Sequence, residues 1–149
     1  MDRIKGKIIA ICTSEEKGTA KRNIITGNLI ENHGFEGDAH AGNWHRQVSL
    51  LSYDKVNEFR EKGANVEEGA FGENILVEGI NCSTLPIGTR LYSGEIILEV
   101  TQIGKECHSH CTIFQQIGDC IMPREGIFTR VLKGGKISKG DFMYVEAPV

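Results

Sequence analysis

The sequence predicts a mainly β protein that forms one domain over residues 1–149. The chain contains 18 glycines but only three prolines, and glycines spread along a chain favour tight turns. The segments between them are short and rich in β-branched residues, as strands are. Hydrophobic residues make up 40% of the chain, enough at this length to close one core. Only one or two short helices are expected.

Eight strands are predicted from these apolar runs. The clearest pair is a hairpin over residues 90–97, where Ser93 and Gly94 suit a two-residue turn. The polar stretch 13–22 is interpreted as a mobile surface loop between early strands. The predicted strands cover residues 6–12, 23–30, 47–51, 74–77, 89–92, 95–101, 127–132 and 141–146.

One helix is predicted between the strand at 47–51 and the next. Ser52 is suited to cap its N-terminus, and Gly63 is suited to end it. Tyr53, Val56 and Phe59 share one face at helical spacing. We expect this helix to close one end of the sheet.

Charge and hydropathy exclude several kinds of partner. The net charge is −3 and the isoelectric point is about 6.0, so we expect no nucleic-acid partner. No segment approaches the ~20 apolar residues that span a bilayer, and the N-terminus lacks the apolar stretch of a signal peptide. We therefore expect no membrane association and a cytoplasmic location, where thiols stay reduced.

The densest reactive cluster is rich in cysteine and histidine. Positive charge from neighbouring histidines or Lys105 stabilises a thiolate, which predicts a reactive cysteine here. Cys107 and Cys111 are the candidates for it. The cluster consists of Cys107, His108, His110, Cys111 and Cys120.

Two other interpretations of this cluster stay open. The spacing of Cys107 and Cys111 is close to that of a structural zinc site, which Cys120 or a histidine would complete. Alternatively, some of these thiols are small buried hydrophobes. The remaining two cysteines, Cys12 and Cys82, have no charged neighbours in the sequence and are predicted to be structural.

A glycine-punctuated loop at residues 36–47 is the second candidate. Arg46 offers a planar fork for a phosphate or carboxylate, and Gln47 offers a donor and an acceptor. His40 is a candidate to line the site, with His45 as a weaker one. The alternative for Arg46 is a simple ion pair with Asp38.

Two further segments carry polar candidates. Glu73 and Asn74 lie on a predicted tight turn at a strand entrance, although Asn74 is equally suited to be a turn former. Arg124 and Arg130 lie in a basic stretch at 123–135. That stretch suits either phosphate binding or an edge strand protected by charge.

Six segments of the chain form a recognisable series: residues 37–40, 46–50, 71–74, 85–88, 125–131 and 140–141. In this order they resemble the MOSC family, named after the C-terminal domain of molybdenum cofactor sulfurases. The resemblance covers nearly the whole chain and implies a compact β-barrel-like fold. The chain departs from the commonest pattern, because Glu106 stands where many members have a proline before the cysteine.

The resemblance implies a function for Cys107. In the family this cysteine is proposed to carry sulfur or to coordinate the molybdenum of the molybdenum cofactor (molybdopterin). The implied activities are a sulfurtransferase or a molybdenum-dependent reductase of N-hydroxylated substrates. The implied partners are a cysteine desulfurase, which would hold any pyridoxal phosphate, or a molybdopterin-biosynthesis protein.

Two other functions remain in competition with these activities. One is a module that stores or delivers the cofactor without turnover. The other is an interaction module with a structural zinc. If the protein binds the cofactor or transfers sulfur, the cofactor-binding residues are expected to be His40, Arg46, Gln47, Glu73, Asn74, Arg124 and Arg130.

Overall fold

Strands dominate the structure, and the mainly β prediction is confirmed. The computed structural model describes residues 4–16, 21–63, 67–69, 71–104 and 126–146. This part of the chain contains eleven strands, one α-helix and a 3-10 turn at Cys82–Thr84. The strands are β1 (Ile4–Thr13), β2 (Arg22–Asn23), β3 (Thr26–Ile30), β4 (Gly34–Phe35), β5 (Val48–Ser52), β6 (Ile75–Glu78), β7 (Arg90–Ser93), β8 (Ile96–Ile103), β9 (Ile127–Lys133), β10 (Gly135–Ser138) and β11 (Phe142–Glu146), and the helix is α1 (Tyr53–Glu61).

Seven of these strands close into a barrel. They follow the order β11, β7, β8, β9, β5, β6, β1, and β1 pairs back with β11, placing Ile4 opposite Val145. Neighbours are antiparallel except β5 and β6, which run parallel. β2 adds to β1, and β10, β3 and β4 form a separate small sheet.

Strand β5 separates two hydrophobic cores. All five of its residues are buried, and side chains alternate between the faces of a strand. Val48 and Leu50 therefore face the barrel interior, whereas Leu51 faces outward against α1. Burial on both faces explains why the strand contains only apolar residues and serines.

The helix covers a face of the barrel, so the prediction that it closes one end is wrong. Its buried residues Val56 and Phe59 pack on Leu51, Leu76 and Ala10, which lie on three neighbouring strands. Burying a side chain as large as Phe59 contributes about 3 kcal/mol. No helix in the described ranges is long and apolar enough to span a membrane.

The helix begins and ends where the sequence predicts. Ser52 is the N-cap residue, but its side chain makes no capping hydrogen bond. At the other end, Gly63 adopts a positive φ of 102° and its amide donates to Arg60 O at 3.0 Å. Glycine is the residue that most readily takes this conformation.

The predicted strand at 23–30 is two strands instead. Ile25 sits between them with a φ of 70°, a left-handed conformation that is unusual for a β-branched residue. The Asn23 side chain supports it by accepting a hydrogen bond from Ile25 N at 2.9 Å. The small strands β4 and β10 are absent from the prediction, because each is very short and begins with a glycine.

The mobile-loop prediction for residues 13–22 is wrong at its end. Lys21 is only 3% exposed, and its amide donates to Gly69 O at 2.9 Å. The two segments approach so closely that a Cβ on Gly69 would lie 2.1 Å from Lys21 O. Glycine at position 69 therefore allows Lys21 to be held inside the protein.

Candidate functional site

A partly enclosed cleft lies on the outside of the barrel beside α1. It opens where the ends of β5 and β6 meet β9 and the loop 36–47. Ser49 and Phe128 are opposite each other on β5 and β9 and form its floor. The residues that line it are His40, Trp44, Arg46, Ser49, Gly72, Asn74 and Phe128.

Asp38 is the anchor of the loop that forms one wall. Its carboxylate forms a buried ion pair with Lys21, with Nζ at 2.6 Å from Oδ1. It also accepts hydrogen bonds from Ser14 N at 3.0 Å and Asn74 Nδ2 at 3.2 Å. A buried carboxylate is stable only when paired and hydrogen-bonded in this way. Asp38 thus pairs with Lys21 and not, as the alternative had it, with Arg46.

Asn74 joins four parts of the structure at the back of the cleft. Its Nδ2 donates to Cys12 O at 2.9 Å and to Asp38. Its Oδ1 accepts from Ser49 N at 3.0 Å, and its own amide donates to Ser49 Oγ at 3.0 Å. Both ends of its side-chain amide are therefore used, and Asn74 is a structural hub rather than a simple turn former.

His40 connects this buried network to the cleft. Its Nδ1 lies 3.0 Å from Lys21 Nζ, and the residue is also part of the cleft lining. Its carbonyl oxygen accepts a hydrogen bond from Trp44 Nε1 at 2.7 Å. The loop therefore fixes both His40 and Trp44 at the mouth of the cleft.

Arg46 provides the positive charge of the cleft. Its guanidinium carbon lies 5.1 Å from the centre of the Phe128 ring and 6.0 Å from that of Trp44. Its Nε donates to Gln102 Oε1 at 3.1 Å. No carboxylate among the described residues lies within ion-pair distance of it. The side chain is held by aromatic faces and an amide, so its charge is uncompensated by those residues.

Glu73 and Gln47 lie in the walls behind the cleft. The fully buried Glu73 carboxylate accepts hydrogen bonds from Gly69 N at 2.8 Å and Phe71 N at 3.1 Å. Burial raises its pKa to about 7, although these backbone hydrogen bonds act in the opposite direction. Gln47 donates to Asn32 Oδ1 at 3.1 Å and accepts from Val131 N at 2.9 Å. Both side chains are engaged in holding the backbone.

Arg130 lies two residues beyond Phe128 on β9, and strand alternation puts both on the same face. It is opposite Glu99 in the strand register, but Glu99 pairs with Arg90, with Nε at 3.4 Å from Oε2. The Arg130 Nε is buried and has no hydrogen-bond partner in the described structure. Such an atom is costly without a partner.

The described cysteines are inert. Cys12 and Cys82 are fully buried free thiols. Burial, with the nearby charge of Glu73, raises the pKa of Cys12, and burial raises that of Cys82 to about 12. The cluster of Cys107, Cys111 and Cys120 lies outside the described residues, as does Arg124. Within the described ranges no histidines, cysteines and carboxylates group as metal ligands.

Sequence reasoning missed four residues of this site. In the sequence, Trp44 and Phe128 look like ordinary apolar residues, and Ser49 lies inside a hydrophobic strand. Lys21 has no local signal either, because only the fold brings it to Asp38. Contacts between distant segments, rather than any motif, bring Trp44, Ser49 and Phe128 to the cleft and place Lys21 in the buried network behind it.

Comparison with known proteins identifies a family and similar folds. The model of the MOSC domain family matches residues 36–144. Among solved structures, the YuaD protein of Bacillus subtilis is similar with a TM-score of 0.84 at 19% identity, covering 99% of both chains. YiiM of Geobacillus stearothermophilus is similar with a TM-score of 0.68 at 20% identity, over 95% of this chain and 75% of that one. YiiM of Escherichia coli has a TM-score of 0.61 at 21% identity, over 100% and 71%. Comparison with curated proteins finds no match.

Proposed function

The chain belongs to the MOSC domain family, and from this premise we propose that it binds the molybdenum cofactor, or carries sulfur for its maturation, through a cysteine thiolate. The cofactor is an anionic pterin, and a protein that holds it needs cationic and aromatic groups at an open cleft. The wall of the cleft contributes both kinds of group.

The observation that carries this proposal is uncompensated positive charge. Arg46 has no carboxylate partner among the described residues, and the Arg130 Nε is buried without a hydrogen-bond partner there. A guanidinium forms strong charge-assisted hydrogen bonds to phosphate. An anionic ligand in the cleft would pair with Arg46, which lines it, and this supports a cofactor with a phosphate.

The aromatic residues of the cleft fit a pterin as well. Trp44 and Phe128 flank the Arg46 guanidinium, and flat heterocycles stack on such faces. The residues present therefore fit the cofactor. When bound, the cofactor supplies redox and sulfur chemistry at its molybdenum; His40, Arg46 and the aromatic rings would bind and orient it.

Cys107 is the thiol that we propose for this chemistry. It follows Gly104, the last described residue after β8, by three positions. Gln102, on the same strand, accepts the hydrogen bond from Arg46. A thiolate at Cys107 would act as a molybdenum ligand or accept sulfur as a persulfide from a partner desulfurase, with Cys111 as the second thiol.

The test is the metal and pterin content of protein purified natively from a host that makes the cofactor. Wild type is compared with Cys107→Ala, Cys111→Ala and a control, Cys82→Ala. The proposal expects molybdenum and pterin near stoichiometry in wild type and control, with loss in Cys107→Ala. Loss only in Cys111→Ala would move the ligand to that thiol, and zinc without pterin would contradict the cofactor proposal and favour a structural metal site.

A further inference from the structure

Lys21 is an unusual residue to find inside this protein. Its side chain is 1% exposed, and a buried ammonium is expensive unless its hydrogen bonds are satisfied. It lies outside the residues that match the family model, 36–144. An apolar residue would fill the same space at lower cost, so a purely space-filling role does not account for a lysine here.

Among the described residues, three acceptors surround the Lys21 ammonium. Nζ lies 2.6 Å from Asp38 Oδ1, 3.0 Å from His40 Nδ1 and 3.4 Å from Ser14 Oγ. An ammonium has three hydrogen-bond donors and no acceptor. The three contacts therefore match the three donors in number, and the geometry fixes the direction of each hydrogen bond.

The contact with His40 determines where the imidazole carries its proton. Because Lys21 can only donate, His40 Nδ1 must accept. A neutral imidazole that accepts at one nitrogen carries its proton on the other. The ring is therefore held as the Nε2–H tautomer, with Nδ1 turned to the buried lysine, and His40 is one of the residues that line the cleft.

We propose that Lys21 is a positioning residue that holds His40 as an Nε2–H donor beside the Arg46 guanidinium, so that the cleft selects oxyanions. The inference rests on the cleft being the ligand site proposed above. The carboxylate of Asp38 neutralises Lys21 and is itself fully buried. Among the described residues, the cleft thus presents donors and positive charge to a ligand.

The first test is the tautomer of His40 in the wild-type protein. Long-range ¹⁵N–¹H correlation spectra distinguish the two ring nitrogens, and a His40→Gln variant assigns the signals. The expected state is Nε2–H. Wild-type protein with the proton on Nδ1 would overturn the proposal, whatever the variants do.

The second test removes the lysine without leaving a buried charge. The double variant Lys21→Met with Asp38→Asn is neutral and nearly isosteric, and Lys21→Arg is the conservative variant. We expect the double variant to populate both His40 tautomers, whereas Lys21→Arg retains Nε2–H. The His45 ring, which contacts Gln102, is the internal control and should not change.

Binding of inorganic phosphate, followed by the same signals, completes the test. The double variant should bind phosphate about tenfold more weakly than wild type, because one donor to the anion is no longer fixed. A folded double variant with unchanged tautomer and affinity would overturn the positioning role. If the double variant fails to fold, the His40 tautomer in wild type and in Lys21→Arg still tests the proposal. Wild type with the expected tautomer but no phosphate binding would support the role of Lys21 and contradict the proposed function.

Discussion

Removing the Asp38 carboxylate tests the buried network that shapes the cleft. Asp38→Ala leaves the Lys21 ammonium, with its side chain 1% exposed, without a counter-ion. Breaking a buried ion pair on one side costs about 3–5 kcal/mol. The variant also leaves Ser14 N without its acceptor at 3.0 Å, which adds about 1 kcal/mol. We therefore expect a loss of about 4–6 kcal/mol in the free energy of unfolding.

The assay is urea denaturation followed by circular dichroism, with midpoint and slope fitted separately. Glu58→Ala is the matched control, because Glu58 pairs with Lys55 at 3.7 Å on the surface with 63% of its side chain exposed. Such pairs contribute less than about 1 kcal/mol. A loss in Asp38→Ala no larger than in this control would refute the argument that the pair is buried. Adding Lys21→Met to Asp38→Ala should restore part of the stability, since the orphaned charge is then gone.

Three more predictions follow from buried polar groups and thiols. Burial raises the pKa of Glu73 to about 7 in the native state from an ordinary value of 4.5. The native state therefore keeps a proton that the unfolded chain releases, so the free energy of unfolding should fall by about 3 kcal/mol as the pH rises between these values. Glu73→Gln should flatten this pH dependence. An unchanged slope in the variant would assign the effect to another group. Cys12 and Cys82 should resist alkylation at pH 8 until urea is added, because both are buried with raised pKa values; peptide mapping that finds either one labelled at once in the native protein contradicts this. Asn74→Ala should lower the free energy of unfolding by about 2–4 kcal/mol, because it leaves hydrogen-bonding groups on β1, β5 and the loop 36–47 without their partner. A loss below about 1 kcal/mol in urea denaturation would show that water replaces the side-chain amide.

The strands were predictable because their signal is local. The runs predicted at 95–101 and 127–132 alternate or remain apolar over enough residues to indicate β structure, and they correspond to β8 and β9. Gly94 does mark the turn between β7 and β8, but the turn consists of Gly94 and Glu95 and not of Ser93 and Gly94 as predicted, because Ser93 still pairs with Ile96. The closure of β1 on β11 depends on residues at opposite ends of the chain. Periodicity contains no such information, so the barrel was expected only from the family resemblance.

The candidate site was predictable only in part. His40, Arg46 and Asn74 were expected at a site because their loops are polar and punctuated by glycine, and they do line one cleft. Glu73 and Gln47 have the same local signal but are turned into the walls, where buried backbone amides need their oxygens. Lys21 gave no signal, since its role depends on Gly69 and Asp38, which are distant in the sequence.

The central claim is that Arg46, whose charge no carboxylate among the described residues neutralises, holds an anionic cofactor. Its most direct test is the molybdenum and pterin content per chain of Arg46→Gln, purified natively beside wild type and Arg90→Gln. Arg90 is a matched control because it is an exposed arginine whose partner, Glu99, lies on the neighbouring strand β8. We expect wild type and Arg90→Gln to retain the cofactor and Arg46→Gln to lose at least about nine-tenths of it, as the loss of a charge-assisted contact implies. Equal cofactor content in the two arginine variants would contradict the claim.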